Sequence, residues 1–302
     1  MRVPQGISRR AALATGAFLL AAWVLGLGDL LPSAHRWFGV LLAPALVYRR
    51  ARAYVRDFAP FALAVLAYEW ARTAAHRINP QPFYRPQIDV DRVLGLGRVP
   101  TVRLQGWLYD GAPGAFEHAL DKAHDWYFGG LLAALFLLWL ESRREYLRAA
   151  AAAIGAALAA ALGFLLFPAA PPWLAACHGL IGPLERIREH GHQCPRALTD
   201  PSLVSRLFDD NPVAAIPSLH GAWSTLAALM LWRWRPRLWP IGAAYAFVQQ
   251  FAVVYLGEHY VTDILLGDAL AVLMWWLSGK LIPVGARPAT ASRRPRWPRA
   301  AL

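Results

Sequence analysis

Charge is scarce in this sequence, acidic charge most of all. Only 17% of the 302 residues are Asp, Glu, Lys or Arg, and 19 acidic residues face 31 basic ones. With 57% hydrophobic residues and 14 Trp, that scarcity excludes both the ordinary soluble domain and the disordered chain. Internal repeats are absent, which argues against solenoids and against repeat-built transporters. Cysteine is almost absent too. Cys177 and Cys194 fall in one segment, where in an oxidising compartment they could close a loop of about 18 residues. A metal site on His190, His192 and Cys194 is the alternative, but no fourth ligand stands at familiar zinc spacing.

What fills the space is apolar runs. They lie near 11–28, 36–48, 57–75, 125–141, 147–167, 216–233, 238–256 and 260–282, and most are long enough to cross a hydrocarbon core of roughly 30 Å at about 1.5 Å per residue. The second is short and interrupted by Pro44. The expected fold is therefore all-α: a polytopic helical membrane protein with a six-span core at 57–282. One or two extra spans and basic loops occupy 1–56, and a basic tail occupies 283–302. Ser8-Arg9-Arg10 before the first run resembles an export signal, but with no small-residue cleavage site after it an uncleaved span is expected.

The net charge of +12 suggests nucleic acid until its distribution is read. Arg9 and Arg10, Arg49 to Arg56, Arg143 to Arg148, Arg233 to Arg237 and Arg287 to Arg299 all fall on one side if every run spans. Short basic loops stay in the cytoplasm. Both termini are thus expected inside the cytoplasmic membrane, and the long connections 76–124 and 168–215 outside it, with no nucleic-acid partner. In 76–124, Pro80, Pro82 and Pro86 prevent a continuous helix. Leu104, Trp107 and Leu108 form an apolar face that suits either the membrane interface or packing on the span ends. Glu69 is the only deep carboxylate expected.

Ionisable groups at span ends are costly and so informative. In Asn211-Pro-Val-Ala-Ala-Ile-Pro-Ser-Leu-His220, Pro217 suits a first helical turn, and Ser218 and that turn's free N–H groups would face an anion beside His220. In Tyr255-Leu-Gly-Glu-His-Tyr-Val-Thr-Asp263, His259 and Asp263 stand four apart and share one helical face. A carboxylate on one ring nitrogen fixes the tautomer and makes the other a better nucleophile or base. Taken alone, a histidine at a helix end is more often a cap, and an i,i+4 pair a surface contact. The charge pattern, argued independently, puts both segments on one membrane face.

Ile216-Pro-Ser-Leu-His220 together with His259-Tyr-Val-Thr-Asp263 resembles two signature motifs of the type 2 phosphatidic acid phosphatase superfamily, in the branch that holds inositol phosphorylceramide synthases. Phe167-Pro-Ala-Ala-Pro-Pro-Trp173 resembles that branch's proline-rich element. The resemblance covers roughly 90–275. It implies a lipid phosphatase or phosphotransferase without cofactor or metal, working through a phosphohistidine. His259 would be the nucleophile, Asp263 its orienting partner and His220 the acid. Substrates would be polyprenyl phosphate, phosphatidic acid or phosphatidylinositol types. The cationic cradle departs from the pattern, because Trp173 and Val253 stand where arginines are expected. Arg77, Arg92, Arg98, Arg103, Lys122, Arg186, Arg188, Arg196 and Arg206 remain candidates. Arg206 is singled out for its nearness to the phosphate turn, and His118, Asp121 and His124 for the helical face they line. A transporter and a non-catalytic membrane scaffold are the competing classes.

Overall fold

The computed structural model describes residues 50–188 and 211–284, with Phe38, Leu41, residues 44–46 and Tyr48. Among these residues the chain is helical, with no strand beyond isolated bridges joining Phe83, Ala169 and Ala214. The helices are α1 (Ala51–Ile78), α2 (Arg85–Leu94), α3 (Pro100–Leu108), α4 (Ala115–Asp125), α5 (Tyr127–Glu141), α6 (Arg143–Leu166), α7 (Pro172–Cys177), α8 (Leu219–Trp234), α9 (Trp239–Tyr255) and α10 (Val261–Leu281). The all-α expectation holds. The first apolar run and the basic tail lie outside the described residues.

The long helices form where the sequence offers apolar residues on every face, the pattern of a helix surrounded by lipid and other helices. By length and composition α6 and α10 can each cross a membrane, and α4 with α5, bent by 48°, passes as a pair. The 16 residues of α8 and 17 of α9 reach about 24 and 26 Å, short of a full hydrocarbon core. Leu158, Leu162, Leu166, Ile241, Phe247, Leu265, Leu266, Val272 and Leu273 remain exposed around the bundle, where a bilayer covers them.

Helix α8 is the hub and packs on α5, α6, α9 and α10. Its Trp223 is buried beside Tyr127 and Phe128 and donates to the Ala153 carbonyl of α6 at 3.2 Å. Arginines hold one end of the bundle together. Arg143 and Trp139 both donate to buried Asp57, Arg233 pairs with Glu145, and Arg235 pairs with Glu141. A charge taken out of water needs partners of this kind.

The other end carries the short helices, separated by proline. Pro80 and Pro82 follow α1, and Pro86, Pro100 and Pro172 sit in first turns, where a missing N–H costs nothing. The apolar face expected on α3 divides: Leu104 packs inward on the clusters that hold Tyr255 and Val254, while Trp107 and Leu108 face out. One expectation is overturned. Glu69 is not the only carboxylate within a long helix, since Asp268 lies inside α10, where it accepts from Thr225 of α8 at 2.6 Å and Gln250 of α9 at 2.9 Å. Three apolar runs hid that trio, because each contributes one polar residue.

Candidate active site

Two helix starts and one helix end build the site. Helix α8 opens two residues later than a Pro217 at its first position would place it. Ser218 is its N-cap, with Oγ accepting from the Gly221 N–H at 3.3 Å, so Pro217 stands just before the helix and His220 in its first turn. Helix α9 ends in a left-handed turn that Gly257 makes at φ +88°. The Gly257 N–H donates to the Val254 carbonyl at 3.2 Å and the Glu258 N–H to the Val253 carbonyl at 3.0 Å, the crossed pair that closes a helix end. That closure delivers His259 directly to the start of α10.

Asp91 then fixes the start of α10 from a different helix. Fully buried on α2, its carboxylate accepts from the Val261 N–H at 3.1 Å, the Thr262 N–H at 2.8 Å and the Thr262 hydroxyl at 2.5 Å. Burial pushes its pKa up, and the Thr262 and Val261 hydrogen bonds oppose that rise. A negative group at unpaired helix N–H groups is favourable electrostatically. Sequence reading missed this residue, which lies about 170 positions from its partners.

The three motif residues meet in a line. Asp263, fully buried, accepts the Tyr260 N–H at 2.9 Å and holds His259 Nδ1 at 3.3 Å. Across the same ring, His259 Nε2 lies 3.2 Å from His220 Nδ1. The Ser218 N–H donates to the Asp263 backbone carbonyl at 3.1 Å, tying the two segments together. Ser218 is thus fully buried, its N–H and its oxygen's lone pair used by the fold. His220 Nε2 is buried and has no hydrogen-bond partner among the described residues. A buried polar atom left open in this way is what substrate oxygen would satisfy.

Beside His220 stand Tyr127 and His124, with ring centroids 4.1 and 4.5 Å away. His124 Nε2 lies 3.2 Å from Nη1 of Arg188, whose other nitrogens bind Asp121 at 2.5 Å and Asp125 at 2.7 Å. Burial works against the Arg188 charge, yet Asp125 and Asp121 outweigh it and hold the pKa above its ordinary value. Asp121 therefore serves Arg188, while His124 stands between Arg188 and His220. A second cation, Arg72, is paired with Glu69 at 3.1 Å, and its field reaches His220.

The missing arginine of the proline-rich element also finds an explanation in space. Trp173 is buried and lies under the Arg186 guanidinium, 4.6 Å from the ring centroid, while Arg186 pairs with Glu258 at 2.8 Å. The ring seats a cation that comes from the loop. Arg186 and Arg188 were two of nine candidate cations in the sequence, and no local spacing could rank them. Arg206, Arg196, His190, His192 and Cys194 lie outside the described residues. Cys177 is disulfide-bonded.

A family model described as the PAP2 superfamily matches residues 88–277, well over half the chain. Phosphoinositol dihydroceramide synthase of Bacteroides thetaiotaomicron is 26% identical over 72% of this chain and 73% of its own length. The inositol phosphorylceramide synthase catalytic subunits of Schizosaccharomyces pombe and Saccharomyces cerevisiae are 31% and 30% identical, over 39% and 36% of this chain. Those matches span 29% and 28% of the yeast proteins. No solved structure is significantly similar.

Proposed function

The chain belongs to the PAP2 superfamily, a membrane enzyme of lipid-phosphate chemistry, and we propose that it transfers the phosphorylated head group of a phospholipid to an alcohol through a phosphohistidine. The observation that carries this reading is the unbroken line Asp263, His259, His220, in which each contact is within 3.3 Å.

In the first step His259 Nε2 attacks phosphorus and the bond from phosphorus to the lipid alcohol breaks. His220 gives its proton to the departing oxygen, and Asp263 on Nδ1 stabilises the charged ring. In the second step an acceptor hydroxyl passes its proton back to His220 and attacks phosphorus, which releases His259. Arg188, through its place beside His124, and Arg72 supply the positive field that the phosphoryl oxygens need as charge shifts onto them. The names of the relatives favour a phosphoinositol group as cargo and a ceramide-type lipid alcohol as acceptor. Water is the competing acceptor. The arginine-rich bundle end supports placing both termini in the cytoplasm, with the histidines at the opposite face of the cytoplasmic membrane.

The test is a panel in liposomes: phosphatidylinositol, phosphatidic acid and a polyprenyl phosphate, each with and without a ceramide. New inositol phospholipid formed only with ceramide is expected. Release of inositol phosphate from phosphatidylinositol, or of free phosphate from the other two lipids, at the same rate whatever the acceptor would replace transfer by hydrolysis.

A further inference from the structure

A second concavity lies on the same end of the bundle as the histidines, outside their site. It measures about 700 Å³, within the range of small-ligand sites. Arg92, Arg98, Gln105, Gly106, Asp110 and Glu185 are among the residues that line it, from α2, α3, the turns on either side of α3 and the loop after α7. Its depth in the membrane follows from two attachments. Helix α2 is fixed by Asp91 to the first turn of α10, and α3 is fixed by Gln105 Nε2 to the last carbonyl of α9, Tyr255, at 2.8 Å. Both helices therefore lie level with the ends of the long helices, where headgroups begin. Beside the lining residues, Leu96 is 85% exposed and Trp107 72% exposed, an apolar edge that suits the boundary between headgroup and acyl chain.

The charges inside are of both signs and separated by role. Arg98 has no ion-pair partner among the described residues. Arg92 uses Nη2 on the Leu180 carbonyl at 3.1 Å and keeps only a 3.8 Å approach to Asp89. Asp110 accepts one N–H, that of Ala112, and Glu185 one hydroxyl, that of Tyr109. Each carboxylate thus retains acceptor capacity. A phosphate alone would meet repulsion from the carboxylates, and a choline group offers no donor to satisfy them.

We propose that this cavity binds the headgroup of a second, non-reacting phospholipid: a phosphodiester held by Arg98 and Arg92, whose hydroxyl or ammonium donors reach Asp110 and Glu185. One layer separates it from the nucleophile. Leu184, Glu185 and Gln105 line the cavity on one side and abut the Gly257 turn on the other, where a β-carbon would lie 2.9 Å from the Glu185 carbonyl. The site stands independently of the reading of the histidines.

The full chain carrying His259→Ala, so that no lipid is turned over, is purified from liposomes holding equal phosphatidylcholine, phosphatidic acid, phosphatidylethanolamine, phosphatidylglycerol and phosphatidylinositol. Retained lipid is identified by mass spectrometry. Enrichment of the ethanolamine, glycerol or inositol lipids over the other two is expected. Arg98→Glu should lower that retention about tenfold. So should Gly106→Phe, since a side chain at Gly106 meets nothing within 4 Å and would fill the cavity. With His259 restored, both variants should turn over detergent-dispersed substrate normally. Retention equal to the parent in both variants, or enrichment of the choline lipid or phosphatidic acid, overturns the site.

Discussion

Gly267 of α10 passes so close to Ser218 that a β-carbon there would lie 2.2 Å from the Ser218 carbonyl oxygen. This contact sets the spacing between the helix that carries His220 and the one that carries Asp263. Gly267→Ala should force the helices apart, with an overpacking cost of about 1–3 kcal/mol. Activity should fall further than thermal stability does, because the 3.2 Å approach of His220 to His259 depends on that spacing. Unchanged turnover with a lowered melting temperature would show that the spacing serves only the fold.

Removal of the proposed nucleophile is the plainest test. His259→Ala should cut head-group transfer by about three orders of magnitude or more while the protein remains monodisperse in detergent. Asp263→Asn keeps the shape but weakens the hold on Nδ1, and a loss of about 10⁴-fold in kcat is expected. Full activity in the alanine variant would remove the phosphohistidine.

Arg188→Gln takes away the cation next to His124 and also the ion pairs it makes with Asp121 and Asp125. A fall in kcat/KM of about 10²-fold is expected, the cost of one lost charge-stabilising donor. Arg188→Lys should recover part of that loss, since the charge returns without the planar fork that bridges two carboxylates. A variant that only raises the KM for one acceptor would instead make Arg188 a specificity residue.

Chelators should leave the reaction almost untouched. His259 Nδ1 is held by Asp263 and its Nε2 is the attacking atom of the proposed steps, which need only proton transfer and the arginine field. Steady-state rates in EDTA, with and without added magnesium, check this, and strong inhibition would call for a metal ligand set in place of the acid–nucleophile pair.

Asp91→Ala would strip three hydrogen bonds from the start of α10. A loss of about 1–2 kcal/mol is expected, in the range of a lost helix cap, and with it a lower melting temperature. Asp91→Asn, which still offers a carbonyl oxygen, should recover part of it.

The sequence made local chemistry legible and left distant chemistry hidden. His259 and Asp263 could be paired because four residues on a helix bring side chains together, and the Pro-Ser-Leu-His element could be placed near a helix start by its proline. Asp91 and Arg188 could not be chosen, since each reaches its partners across more than 60 positions of chain. Asp268 was masked for a different reason: a single carboxylate barely lowers the mean hydropathy of a 21-residue apolar helix. Trp173 looked like a defect in the motif because a ring that seats a cation carries no charge of its own.

The turn before His259 is bound on several sides to the segment that carries Arg188. Ile187 donates to the Leu256 carbonyl at 3.3 Å, Arg186 grips Glu258, and Gln105 bridges Glu185 and Tyr255. His259 and Arg188 are consequently carried by one hydrogen-bonded block, and in the proposed reaction the spacing between nucleophile and cation is set by the fold. If the proposed transfer holds, discrimination between alcohols falls to the route by which the second molecule enters rather than to this block.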